Sequence, residues 1–154
     1  MKNLSSEVLT ALTGKTLVTA ESLTDGGIGA ALTAISGSSA VYKGGVISYT
    51  NEVKHSILGV PEEMLAHYGA VSAPVAQAMA SGVRKLLRAD VAVSVTGLAG
   101  PGGDDFGNPV GTVYIGYDDG TNATVCHHCF TGSREEIRNR TIEEALKLIL
   151  SQQK

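Results

Sequence analysis

The chain has 154 residues, with 12 Lys and Arg against 15 Asp and Glu, a net charge of −3 and 43% hydrophobic residues. That length predicts one domain over residues 1–154, and the acidic balance, with no Lys/Arg run, excludes a nucleic-acid footprint. No apolar run approaches the roughly 18 residues of a membrane span, the start lacks signal-peptide features, and Cys126 and Cys129 alone exclude a disulfide scaffold. The expectation is a reduced, cytoplasmic, soluble domain. Glycine is in excess, 19 of 154 residues, which predicts tight turns and close backbone approaches.

Leu4, Val8 and Leu12, four apart and followed by Gly14, predict a helix over about residues 3–13. Thr16–Ala20 predicts a strand, Glu21–Gly27 a polar glycine-rich turn, and Ile28–Ile35 a small-residue helix broken at Ser36–Ser39. Val46–Tyr49 predicts a second strand, followed by a helix from Asn51 to about Leu58. Further helices are predicted behind Pro61, ending at Gly69, and behind Pro74, with Val75, Met79, Val83 and Leu86 on one face. The apolar run Val91–Val95 predicts a buried central strand, and Thr96–Pro109 a loop.

Val110–Tyr117 and Thr124–Phe130 predict a hairpin turning at Asp118–Asn122. Ser133 and Glu136 then form a capping box that opens a last helix. Alternating helices and strands closed by a hairpin predict an α/β fold. Its layout would be a three-layer α/β/α sandwich with a mixed, mostly parallel sheet ending in an antiparallel hairpin.

Gly14-Lys15-Thr16 lacks the earlier glycine of a phosphate loop, and Gly27-Ile28-Gly29 lacks the third glycine of a dinucleotide fingerprint. Cys126-His127-His128-Cys129 falls in a predicted strand, whose alternate residues face opposite ways, so one ion could not collect all four. No metal or cofactor site is therefore assigned.

Hydroxyls remain: Ser22 and Thr24 after the first strand, Tyr49 at the end of the second and Thr96 after the third. Ligands of open α/β sheets collect at the carboxyl ends of strands. A serine hydroxyl needs a base, and Lys54 stands near enough in sequence to supply one, as in Ser–Lys variants of the catalytic triad. The glycine-rich turn before Ile28 offers backbone N–H groups to an anion. The equally open alternative is that these hydroxyls only cap helices and turns.

Thr19-Ala20-Glu21-Ser22, Gly37-Ser38-Ser39, Tyr49–Lys54, Leu58-Gly59-Val60, Gly69–Ser72, Thr96–Gly103 and Pro109–Val113 occur in one order. In these motifs, over almost the whole chain, the sequence resembles the C-terminal domain of the competence/damage-inducible protein CinA, the nicotinamide-nucleotide amidase family. The resemblance implies the stand-alone amidase form, a homodimer without cofactor, acting on a small nucleotide. The reaction would be deamidation of nicotinamide mononucleotide to nicotinate mononucleotide and ammonia, a pyridine-nucleotide salvage step. Ser22 would be the nucleophile, Lys54 the base and Tyr49 the residue that shuttles or orients the proton, with Thr96 in support. Thr24, Gly26, Ser38, Ser39, Gly97, Gly100 and Gly103 would line the substrate site.

Three positions depart from the pattern, one of them Gly27, where the family is leucine-like. Asp25-Gly26 stands where the family carries two glycines, and Asn108 where relatives often have Lys. A carboxylate beside a nucleotide phosphate would repel it by about 1–4 kcal/mol. The alternative expectation is therefore a nucleotide- or partner-binding module of the same fold with weak or lost amidase activity.

Overall fold

The computed structural model describes residues 1–153. In chain order its elements are α1 (Lys2–Ala11), β1 (Leu17–Glu21), α2 (Gly27–Thr33), a 3-10 turn (Ser38–Ala40), β2 (Tyr42–Ile47), α3 (Asn51–Ser56), α4 (Glu62–Tyr68), α5 (Ala73–Leu86), β3 (Val91–Gly97), β4 (Thr112–Asp118), β5 (Ala123–Cys129) and α6 (Arg134–Ser151). The five strands form one mixed sheet in the order β2-β1-β3-β4-β5. β1 pairs in parallel with β2 and β3, whereas β4 is antiparallel to both its neighbours. Four strands thus share one direction, and the fold is the α/β sandwich that the sequence predicts.

Period-two alternation divides the core into two layers. Leu17, Val91, Val93, Val95, Ile115 and Tyr117 pack with residues of α1, α2 and α6 on one face. Val18, Ala20 and Ala92 pack with Val75, Met79 and Val83 of α5 and Leu65 of α4 on the other. β1 is buried along its whole length because helices cover both faces, and its two polar residues, Thr19 and Glu21, are buried with the apolar ones.

The parallel β1–β3 pair fixes the site. After β1 the chain goes outward to β2, and after β3 it goes the other way to β4. The carboxyl ends of these adjacent strands are therefore a topological switch point, where such sheets form their crevice. Ser22 follows β1 directly there, and Thr96 and Gly97 end β3.

The second strand corrects the predicted boundaries. β2 spans Tyr42–Ile47, so Gly44 and Gly45 lie inside it, and Tyr49 lies beyond its end in the passage to α3. The glycine at 45 has a packing reason: an added Cβ would stand 2.6 Å from the Thr19 carbonyl oxygen on β1.

Ser38 and Ser39 are also placed differently from expectation. They sit in the 3-10 turn just before β2, whose first residue pairs with Leu17 at the start of β1. A parallel crossover must return the chain to the opposite rim before the next strand begins. This puts both serines at the far end of the sheet from Ser22.

Candidate active site

Ser22 is nearly buried, and its amide N–H donates to the Val95 carbonyl of β3, which fixes the backbone as it leaves the sheet. Lys54 approaches from α3, whose N-terminus is capped by Thr50 Oγ1 accepting from Val53 N. The lysine is only 1% exposed, and its Nζ lies 3.3 Å from Ser22 Oγ. The same Nζ donates to the carbonyl oxygens of Ser48 at 2.8 Å and Tyr49 at 3.2 Å.

Two carbonyls and one hydroxyl account for the three vertices of an ammonium group. Carbonyls only accept, so a neutral Lys54 keeps N–H groups on Ser48 and Tyr49 and turns its lone pair toward Ser22. Burial pushes its pKa from the ordinary 10.5 down to about 8, with no carboxylate contributing to hold the charge. By that value about a tenth of the lysine is neutral at pH 7. The pair has the geometry of a nucleophile and its base.

Tyr49 does not supply the expected hydroxyl. Its side chain is 61% exposed, and only its main-chain carbonyl engages Lys54. The residue lies in the extended passage leading to Thr50, outside the pleat that would have turned the ring inward. Its ring instead lines a cleft of about 200 Å³ with Leu23, Gly97, Ala99, Gly100 and Arg134. Gly97 and Gly100 thus share one cleft with Tyr49.

Thr96 and Thr24 use their hydroxyls structurally. Thr96 Oγ1 donates to the Ala70 carbonyl at 2.8 Å, tying β3 to the chain ahead of α5. Thr24 Oγ1 donates to Glu21 Oε1 at 2.7 Å. An added Cβ on Gly103 would meet the Asn108 carbonyl, and Gly103 does not line the Tyr49 cleft. Asn108 braces the same loop through Asp104 and the Val71 carbonyl.

Glu21 is a key residue that sequence reasoning passed over. It is 2% exposed, yet its carboxylate accepts from Thr24 Oγ1 and Ile28 N on one oxygen and from Thr19 Oγ1 and Gly29 N on the other. The N–H groups of α2 that were expected to face a ligand are therefore taken by an internal carboxylate. Gly26, with φ of 89°, makes the left-handed step that brings α2 back over Glu21. An acidic residue two positions after a β-branched one in a buried strand, followed by a Thr at the turn, was the available signal.

α6 also contributes to this rim. Arg134 Nη1 donates to the Gly100 carbonyl, and Arg138 Nη2 to the Thr24 carbonyl at 3.3 Å. The capping box is present, with Glu136 N donating to Ser133 Oγ and Ser133 N donating to Glu136 Oε1.

Cys126-His127-His128-Cys129 splits as its strand position requires. His127 stacks on Tyr114, His128 on Phe130, Cys126 packs against the core and Cys129 is exposed. Among the described residues no three His, Cys, Asp or Glu side chains gather as a metal site, and no helix is long and apolar enough to cross a membrane.

The model of the CinA C-terminal domain matches residues 1–153. The chain belongs to the CinA C-terminal domain family. A CinA-like protein of Parasynechococcus marenigrum is 47% identical over 148 residues, covering 94% of this chain and 35% of that protein. One from Sulfurihydrogenibium is 47% identical over 135 residues, covering 88% of this chain and 34% of its own length. The chain thus spans about a third of the length of these curated relatives.

Solved structures of family members superpose throughout. The competence/damage-inducible protein CihA of Agrobacterium tumefaciens gives a TM-score of 0.94 at 40% identity, covering 97% of this chain and 93% of that one. The competence damage-inducible protein A of Klebsiella pneumoniae gives 0.95 at 37%, covering 98% and 95%.

Proposed function

We propose that this CinA-family chain is a serine amidohydrolase that converts nicotinamide mononucleotide and water to nicotinate mononucleotide and ammonia, a pyridine-nucleotide salvage reaction. The observation that carries the reading is the buried Lys54 Nζ, held by two main-chain carbonyls and directed at Ser22 Oγ.

Neutral Lys54 takes the Ser22 proton as Oγ bonds to the amide carbonyl carbon. The resulting ammonium lies beside the tetrahedral intermediate and offsets its oxyanion in a site shielded from water. Lys54 then gives the proton to the departing nitrogen, the C–N bond breaks and ammonia leaves. Water, deprotonated by the same amine, attacks the nicotinoyl ester and restores Ser22. The Tyr49 ring, beside Leu23 and Gly97, offers a flat face to the pyridine ring.

The reading is tested by ammonia release from nicotinamide mononucleotide. Wild type is expected to release it continuously, with S22A at background and unchanged in thermal unfolding. It fails if wild type releases no more than S22A.

A further inference from the structure

The rim beside Ser22 carries charge that the Ser22–Lys54 pair does not use. Arg134 and Arg138 stand four residues apart on α6 and so project from the same side of the helix. Together with Leu23, Asp25 and Tyr49 they line a cleft of about 320 Å³. Arg134 also borders the Tyr49–Gly97 cleft, so positive charge extends from the serine turn along one wall. Glu135 faces the neighbouring cleft on the other side of the same two arginines.

Asp25 opposes this charge. Its φ of 52° is left-handed, in a turn where Asp25 N donates to the Ser22 carbonyl. Its Oδ2 lies 3.9 Å from Arg138 Nη2, and the two side chains are 63% and 34% exposed. An ion pair that long and that wet is weak, so another anion can displace it. A phosphate would gain bidentate contacts from guanidinium groups that a 3.9 Å carboxylate does not use.

We propose that Arg134 and Arg138 form a subsite for the phosphate of the amide substrate, and that Asp25 is a tethered competitor that weakens it. The proposal rests on the amidase reading and sets its substrate preference. Asp25 must release Arg138 before the phosphate can settle, so the site favours the phosphorylated amide less than two free arginines would.

The test compares kcat/KM for nicotinamide mononucleotide and nicotinamide riboside, the same amide with and without phosphate. D25N is expected to raise the mononucleotide-to-riboside ratio about fivefold, mainly through KM, and R138Q to lower it about tenfold. An unchanged ratio in both variants overturns the proposal. Titration of the same proteins with inorganic phosphate reads the subsite without turnover. Tighter binding by D25N and weaker binding by R138Q support it, and identical isotherms overturn it. If wild type hydrolyses neither amide, the amidase reading falls while the phosphate isotherms still decide the subsite.

Discussion

β1 and β3 run in parallel and leave Ser22, Thr96 and Gly97 at one rim, whereas β4 and β5 form a hairpin whose turn lies beside the start of β3, at the other rim. Both halves of the sheet are apolar inside, and β4 is buried like β1 except at the half-buried Tyr114. They differ in what they bring to the serine. The parallel half ends its strands there and supplies the groups proposed to react. The antiparallel half sends no strand-end side chain there; it delivers the open end of the hairpin. That end brings the Leu98–Gly111 loop and the first turn of α6, with Gly100, Arg134 and Arg138. In this sheet, place in the strand order, and not direction alone, separates reacting groups from framing groups: β5 runs with β1 and β3 and ends at the same rim, yet leads only into α6.

The comparison breaks most visibly at Lys54. K54M should lower ammonia release about 10³-fold, the usual scale for losing a general base. In wild type, kcat/KM should rise with pH and level off above about 8, following the lysine's depressed pKa. Stability carries the same signature. Native Lys54 loses its proton near pH 8, while the unfolded chain keeps it to about 10.5, so stability is gained as pH rises between those values. Below pH 8 both states are protonated and the effect is flat. Chemical denaturation should show wild type gaining ~3 kcal/mol on K54M between pH 7 and 10.5.

Glu21 joins stability to activity. In E21Q the new amide nitrogen must face either Ile28 N or Gly29 N. A threonine hydroxyl can turn round to accept, but a main-chain N–H cannot. Urea denaturation should register a loss of about 2–3 kcal/mol, with slower ammonia release because Ser22 adjoins the disturbed turn.

G116A should separate the two effects. A Cβ there would lie 2.6 Å from the Ala76 carbonyl oxygen and from Ser94 Oγ, forcing β4 away from α5. About 2 kcal/mol should be lost, with the rate per folded molecule and its pH profile retained. If that profile shifts, the halves are more tightly coupled than their division of labour implies.

The smallest effect sharpens the role of Tyr49. Y49F should keep kcat/KM within about threefold, because the carbonyl and the ring face both survive. A hundredfold loss would restore the phenol to the proton path.

Much of this was legible in the sequence. The apolar run Val91–Val95, the glycine stop at Gly69 and the Ser133 capping box act locally, and each is found in place. The nearness of Ser22 and Lys54 was legible because one follows the first strand and the other stands on the short helix behind the second, and both features are short-range. The side-chain direction of Tyr49 was not, since β2 ends two residues earlier and alternation no longer applies. Ser38 and Ser39 were misplaced because motif order does not say which rim a crossover reaches. Glu21 was hidden by its surroundings: a charge in a polar turn reads as solvated until four donors are seen around it. Arg134 and Arg138 stand more than a hundred residues from Ser22, a separation that only the closed sheet removes.

The grip on Lys54 has an evolutionary consequence. Its two holders are the carbonyls of residues 48 and 49, and every amino acid carries a carbonyl. Point substitutions at these positions can therefore alter the wall of the cleft without dismissing the base from its post. Under the proposed amidase function, Tyr49 can change in size and polarity while the amine stays on the serine. The placement of the amine is thus held by the main chain, and the side chain at 49 is left free of that task.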